Sequence, residues 1–346
     1  VADMRVAQIM AGQEAGGAEL FYARLTSALA QDTDLNQIAI LRPHARWLEM
    51  LELAEVPTKT HRFGGRLDVQ TKRRMRAQLQ AFEADVALNW MSRAARFCPS
   101  GAWTTAARLG GYYSLKYYQQ CQAFVGNTEG ICEYLRKHGV PSERVHYIPN
   151  FIDERRLSAD DAIEFPATKR DDAPVLLAAG RLHRNKGFDV LIEALSAVPS
   201  ATLWLAGDGP EQVNLAQLAE RLGVRDRIEF LGWQDDLRPY FQRADVFVCS
   251  SRIEPLGNIV LEAWWHGCPL VAARAAGPVE LITDGINGSL CDLEDAPAMA
   301  QAIIHLLDSA GQRQDYAAAG QAAYAAGYSR AQVIARYQQF FDEIKP

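Results

Sequence analysis

No run of this 346-residue chain approaches eighteen consecutive apolar residues, so the sequence carries no signature of a membrane-spanning helix. Its six cysteines, at 98, 121, 132, 249, 268 and 291, form no C-x-x-C pair and no metal-ligand spacing, so neither a zinc module nor a redox motif is expected. Cys249 and Cys268 lie in apolar runs, where a free thiol behaves as a small hydrophobe; reduced thiols point to a cytoplasmic setting. The opening Val1-Ala2-Asp3 has neither a charged region nor an apolar one after it, and no signal peptide is expected there. With 25 Gly, 15 Pro and a hydrophobic fraction of 49%, collagen-like, low-complexity and disordered readings fall away. Both G-x-G-x-x-G and the Walker A pattern are missing, which removes the best warrant for a nicotinamide cofactor or ATP.

What is present begins with length and charge. At roughly 150 residues per domain the chain predicts two domains. The net charge of −6 speaks against a nucleic-acid partner, but it is unevenly divided. Residues 1–150 carry 18 Lys/Arg against 14 Asp/Glu; residues 151–346 carry 18 against 28. A basic half thus precedes an acidic one, as two domains in different surroundings would show. Much of the basic excess sits in fifteen residues, where Arg62, Arg66, Lys72, Arg73, Arg74 and Arg76 accompany a single acid, Asp68. That cluster suits contact with an anionic membrane face or phosphorylated glycolipid, and equally a solvated helix face.

Short apolar runs alternate with helical periods throughout. Strands are predicted at 5–10, 37–41, 86–90, 103–107, 123–126 and 145–148, then at 175–179, 202–206, 228–231, 246–250 and 270–273. Helices are predicted at 18–30, 46–54, 67–84 and 129–138, and at 187–197, 210–222, 237–244 and 257–266. Alternation of this kind implies α/β architecture with parallel sheets, and the strand count exceeds one comfortable sheet. We therefore expect domains at 1–152 and 174–328, joined by a charge-rich linker at 153–173 that contains Pro166. A closing amphipathic helix over 329–346 carries Val333, Ile334, Tyr337, Phe340 and Phe341 at helical spacing, suited to packing back on the first domain.

Several turns carry chemistry. After the first strand, Gly16-Gly17-Ala18-Glu19 opens a helix, and adjacent glycines let backbone N–H groups approach an anion; an ordinary turn uses the same glycines. After the strand at 175–179, Arg181 and Lys186 lie beyond a carboxyl end, where doubly wound sheets bind ligands. A forked guanidinium beside a point-charge ammonium suits a diphosphate, although a solvated basic loop would read the same. The densest pattern is Ser250-Ser251-Arg252-Ile253-Glu254-Pro255-Leu256-Gly257-Asn258, leading into a helix that carries Glu262. Carboxylates only accept hydrogen bonds, so Glu254 and Glu262 could hold adjacent sugar hydroxyls from two heights, or serve as salt-bridge partners. Further turns stand at Gly207-Asp208-Gly209-Pro210 and Ala276-Gly277-Pro278. Asp32-Thr33-Asp34 is a D-x-D that follows a helix and reads as surface punctuation. Tyr112, Tyr113, Tyr117 and Tyr118 could stack on a sugar or fill a core, and Trp264-Trp265 reads as packing.

These motifs occur in one order with GRLHRNKGFDVLIEAL (180–195), LAGDGPE (205–211), FLGW (230–233) and GNTEGICEYLRKHGVPSERVHYIPNFID (126–153). Together they resemble a family-4 retaining glycosyltransferase with the GT-B fold, nearly end to end. The stretch RLGGYYSLKYY (108–118) is similar to bacterial members that build cell-surface polysaccharide or lipopolysaccharide. The resemblance implies two Rossmann-like domains facing a central cleft, with a nucleoside-diphosphate sugar held mainly by the second. Arg181 and Lys186 match the diphosphate-binding pair, Glu262 the carboxylate on the ribose, and Glu254 the one on the donor sugar. Leu256, Gly257 and Asn258 lie between them, Gly16 and Gly17 match backbone near the distal phosphate, and Trp233 flanks the base. It also implies retention of anomeric configuration without a divalent metal or other cofactor, and a glycan or glycolipid acceptor. One departure stands out: many relatives carry a histidine after the strand at 86–90, where this chain reads Asn89-Trp90-Met91-Ser92-Arg93. Arg93 and Arg108 are the acceptor-side candidates in its place. Two other readings share these motifs, a sugar-nucleotide epimerase and a silent nucleotide-sugar-binding subunit. The glutamate spacing with GRLHRNKG favours transfer over the first, and the four charged residues together speak against the second.

Overall fold

The computed structural model of the protein describes residues 4–12, 16–65, 68–157, 165 and 173–346. It divides into two compact units, Val1–Asn150 with Arg330–Pro346, and Phe151–Ser329. Most of the expected linker falls at 158–164 and 166–172, outside the described residues, as does Arg66.

The first unit holds strands β1 (Arg5–Met10), β2 (Asn36–Leu41), β3 (Thr58–Thr60), β4 (Val86–Trp90), β5 (Thr104–Leu109), β6 (Ala123–Gly126) and β7 (Val145–Tyr147) in the order β3-β2-β1-β4-β5-β6-β7. Every pairing among them is parallel, with Ile9 opposite both Ile40 and Asn89. Helices α1 (Gly17–Asp32), α2 (Ala45–Leu53), α3 (Val69–Ala81), α4 (Met91–Phe97) and α5 (Glu129–Lys137) connect them. Buried Val6, Ile9, Ile40, Leu88 and Val125 make strands apolar on both faces, which is what a sheet covered by helices on each side requires.

The second unit repeats the scheme. Strands β8 (Val175–Ala179), β9 (Thr202–Ala206), β10 (Ile228–Gly232), β11 (Val246–Cys249), β12 (Leu270–Ala273) and β13 (Ser289–Cys291) pair in parallel in the order β10-β9-β8-β11-β12-β13. Alternate residues feed two cores: Leu176, Ala178, Leu203, Val248 and Val271 on one face, Val175, Leu177, Trp204, Phe247 and Leu270 on the other. Covering them are α6 (Phe188–Ser196), α7 (Gln212–Arg221), α8 (Arg238–Arg243), α9 (Asn258–Trp265), α10 (Ala276–Leu281), α11 (Ala296–Asp308) and α12 (Ala310–Gly327).

The last helix, α13 (Arg330–Ile344), belongs to the first unit. Its residues Val333, Ile334, Tyr337, Phe340 and Phe341 are all buried, Arg330 pairs with Asp32 at 2.7 Å, and Thr104 Oγ1 donates to the Ile344 carbonyl at 2.8 Å. The D-x-D aspartate at 32 is thus part of a helix-anchoring ion pair. Phe151 to Arg156 belong to the second unit, where Arg156 lies 3.9 Å from the Trp265 ring and donates to its carbonyl.

Candidate active site

Strand order reverses in the second sheet between β8 and β11, the position at which open α/β sheets bind ligands beyond their carboxyl ends. Two loops leave this edge, residues 180–187 into α6 and residues 250–257 into α9. They are sewn together by main chain: Arg252 N and Ile253 N both donate to the Asn185 carbonyl, at 2.8 and 3.1 Å, and Ser250 Oγ donates to the Lys186 carbonyl at 2.9 Å. Gly187 makes that approach possible, since its φ is +63° and a Cβ there would stand 2.1 Å from the Ser250 carbonyl oxygen. From below, Gly277 N donates to the Glu254 carbonyl at 2.7 Å.

This stitching brings two of the expected residues into contact. Lys186 Nζ lies 2.6 Å from Glu254 Oε2, with the side chains only 26% and 13% exposed. Ser251 Oγ donates to the same oxygen at 3.4 Å. An ammonium has three donors, so Lys186 can keep Glu254 and still reach a further anion. Cys249 behind the pair is neutral: burial, then the Glu254 charge, push its thiol up to about 11. Leu256 is buried, Gly257 is the N-cap of α9 and Asn258 its first residue, and Glu262 stands half-buried on the same helix. The α9 N-terminus adds partial positive charge to this edge. Arg181 is exposed and makes no ion pair among the described residues. Trp233 follows β10, two strands from β8, is 59% exposed and donates from Nε1 to Asp235 at 3.2 Å. A cavity of about 430 Å³ opens between α6 and α7, lined by Arg184, Asp189, Glu211 and Arg221 among others; Lys186 and Glu254 do not line it.

In the first unit the order reverses between β1 and β4. Gly16 is the N-cap of α1 and Gly17 its first residue. A Cβ at Gly16 would stand 2.7 Å from Oε2 of Glu19, buried in the first turn, which that side-chain end can yield by shifting; Gly17 meets nothing within 4 Å. Arg93, on α4, is exposed and donates to the Phe63 carbonyl at 3.3 Å. Arg42, at the end of β2, feels it: burial and then the Arg93 charge lower the Arg42 guanidinium.

Arg108 departs from its expected acceptor-side role. It is 3% exposed, its guanidinium lies 5.1 and 5.0 Å from the Phe21 and Trp90 rings, and it donates to Asn150 Oδ1. Burial lowers its basicity against the facing phenols of Tyr337 and Tyr113, but an arginine keeps its proton. The arginine is a core residue, held by two aromatic faces and an amide, although its buried Nε has no hydrogen-bond partner among the described residues. The tyrosines divide likewise: Tyr118 is buried and bonded to Ser92 Oγ at 3.0 Å, while Tyr112 and Tyr117 are exposed. Trp264 is buried, donating to the Asn287 carbonyl at 2.9 Å.

The motifs gave no hint of one arginine's role. Arg252 forms a bidentate pair with Asp189 on α6, at 2.7 Å for each bond, and a second pair with Glu294 before α11. Its partners lie 63 and 42 positions away, so no local pattern announces them.

Set beside known proteins, residues 15–156 match the profile described as Glycosyltransferase Family 4, and residues 173–309 that described as Glycosyl transferases group 1. The chain is 37% identical over 342 residues to the lipopolysaccharide core biosynthesis glycosyltransferase LpsE of Rhizobium meliloti, covering 97% of this chain and 98% of that one. It is 35% identical over 344 residues to LpsD of the same organism, likewise named for lipopolysaccharide core biosynthesis, covering 98% of each. Among solved structures, HepE of Anabaena in complex with UDP superposes with a TM-score of 0.83 at 22% identity, over 98% of this chain and 100% of that one. These matches span both units, and the chain belongs to the family-4 glycosyltransferases, with the GT-B fold.

Proposed function

We propose that this glycosyltransferase moves a sugar from a nucleoside-diphosphate donor, with retention of configuration, onto a glycolipid acceptor in lipopolysaccharide core assembly. The acceptor class is suggested by the names of LpsE and LpsD, each similar to this chain over almost its whole length. The donor class rests on the Lys186–Glu254 pair, 2.6 Å apart where the second sheet reverses its order.

In this reading, transfer proceeds through an oxocarbenium-like transition state while negative charge grows on the departing diphosphate. Arg181 and the spare donors of Lys186 stabilise that charge, and a preorganised group of this kind is worth on the order of 10²–10³ in rate. Glu254, oriented by Lys186 and Ser251, accepts from donor-sugar hydroxyls, and Glu262 accepts from the ribose. Trp233 offers its exposed ring to the base. Because two cations meet the diphosphate, the proposal needs no divalent metal. On the acceptor side Arg93 is retained and Arg108 is not.

Among the described residues, no helix is long and apolar enough to cross a membrane. A cytoplasmic enzyme held peripherally by the exposed cations of α3 would meet a lipid-linked acceptor, and that too is part of the proposal.

Donor turnover tests the reading. Purified protein given UDP-, GDP- and ADP-sugars should release one nucleoside diphosphate in an acceptor-dependent way, at a rate a chelator leaves unchanged. Lys186→Ala should lower kcat by about 10²-fold or more, and Glu262→Ala should chiefly raise the donor KM. Binding of nucleoside diphosphates without release from any donor would overturn the enzyme reading; an unchanged KM in Glu262→Ala would remove its ribose role.

A further inference from the structure

The two groups proposed to hold the donor come from different loops, so their 2.6 Å contact depends on how those loops are registered. Arg252 is the residue that spans the join. Its Nη1 donates to the Arg184 carbonyl at 2.8 Å and to Asp189 Oδ1 at 2.7 Å. Nη2 donates to Asp189 Oδ2 at 2.7 Å and to Glu294 Oε2 at 2.8 Å, while Nε donates to Glu294 Oε1. A guanidinium has five N–H donors, and here all five are used on protein. Three segments are thereby fixed to one side chain: the loop of Lys186, the first turn of α6, and the turn between β13 and α11.

Saturation also decides what Arg252 does not do. A new contact with a donor phosphate would cost an existing charge-assisted bond, so the residue acts through its neighbours. It lies two positions from Glu254, and the carbonyls that anchor it, Arg184 by side chain and Asn185 by main chain, precede Lys186 directly. Glu294 reaches its position with a φ of +61°, a left-handed backbone that a non-glycine residue holds only where its surroundings compel it. Its fork with Arg252 holds the side chain in that place.

We propose that Arg252 is a positioning residue for donor binding, holding the Glu254 loop in register with Lys186 through its paired forks on Asp189 and Glu294. The proposal rests on the reading that Lys186 and Glu254 meet the donor. Lysine cannot replace it, because an ammonium lacks the planar fork that meets two carboxylates at once. Misplacement by about 1 Å costs roughly 10²-fold in rate at well-oriented sites, and because Glu254 and Lys186 also bind the donor the loss should appear in donor affinity as well.

The experiment compares the full chain with Arg252→Lys, Arg252→Met, Asp189→Asn and Lys186→Ala. Binding of UDP, GDP and ADP is measured by calorimetry, and donor KM and kcat with the turned-over sugar nucleotide. Arg252→Lys should weaken nucleoside diphosphate binding and raise donor KM at least tenfold, with a smaller change in kcat. Asp189→Asn should give part of that effect although its side chain is spent on Arg252. If Arg252→Met does not fold, the lysine and asparagine variants carry the test. Parent-like affinity in Arg252→Lys and Asp189→Asn, with binding lost in Lys186→Ala, would overturn the positioning role while leaving the donor reading intact. Unchanged binding in Lys186→Ala would overturn the donor reading itself, and a lowered Tm with parent-like donor affinity and parent-like kcat per folded enzyme would assign Arg252 to stability alone.

Discussion

Two arginines of the first unit show how context divides one residue type. Arg93 follows β4 and Arg108 lies on the neighbouring β5, yet the two are opposite in setting. Arg93 is exposed on α4 with one long bond to a carbonyl, whereas Arg108 is buried between two aromatic rings and bonded to Asn150. Turning the Asn127 amide so that its oxygen faces Arg108 adds an acceptor 3.1 Å from Nη2 and lets its nitrogen donate to the Leu109 carbonyl. Truncating Arg108 therefore strands amide oxygens and opens a void beside Trp90. Arg108→Ala should cost about 3 kcal/mol, read as a fall of several degrees in Tm. Arg93→Ala should stay within about 0.5 kcal/mol of the parent in stability, so that any loss of acceptor-dependent rate there reports on the site. A parent-like Tm for Arg108→Ala would reject the core assignment.

At the scale of elements, α3 carries the charge that makes the first half basic. Asp68 caps it by accepting from Thr71 N at 2.9 Å, and Thr71, Met75 and Leu79 form its buried stripe. Lys72, Arg73, Arg74 and Arg76 fall between those positions and are exposed. Each cation near an anionic surface is worth about 1 kcal/mol, so reversing two of them should weaken binding to anionic vesicles more than tenfold. Co-sedimentation of the Arg73→Glu/Arg74→Glu variant checks this, and binding indifferent to both anionic lipid and the reversal would assign the cluster to solvation. The same helix shows what was legible. Its existence is expected from the helical period over 67–84, while its ends are set by the Asp68 cap and the turn at Glu83. Large apolar strands such as β1, β4, β8, β9 and β12 were read to the residue, because burial on both faces leaves a continuous run. The three-residue strands β3 and β13 and the seven-residue α4 are too short to show a period. Helix α12 was missed for another reason: alanines fill its length, and its Gly320 accommodates the Trp264 ring, a fit visible only once α9 lies beside it. At the site, Lys186 and Glu254 were legible because each stands in a motif, whereas Arg252 needed its distant carboxylates.

Across the whole molecule, the histidines and carboxylates displaced from their ordinary titration push stability in one direction. Burial pushes His266 down to about 4, reinforced by the Arg156 and Arg238 charges; Arg156 already donates to the carbonyl of Trp265, the last residue of α9, so the imidazole need not carry charge there. Burial likewise lowers His146, against the opposing charge of Glu343. A histidine kept neutral in the fold and free to protonate when unfolded stabilises the fold fully above its ordinary value near 6.5. That contribution declines as pH falls toward the folded value. The carboxylates follow at lower pH. Burial would raise Asp189, but the bonds and charge of Arg252 more than offset it, and Arg252 holds Glu294 down as well. Asp68 is lowered by its bonds to Thr71 and Gly64. Each of these contributes stability above the ordinary carboxylate range and loses it as pH drops through and below that range. Tm should therefore be highest near neutrality and fall in two stages, a shallow one beginning near pH 6.5 and a steeper one below about 4. His266→Gln should flatten the first stage and leave the second, while Arg252→Met should do the reverse. Scanning calorimetry between pH 7.5 and 3 separates the stages, and a first stage as steep in His266→Gln as in the parent would remove this histidine from the account.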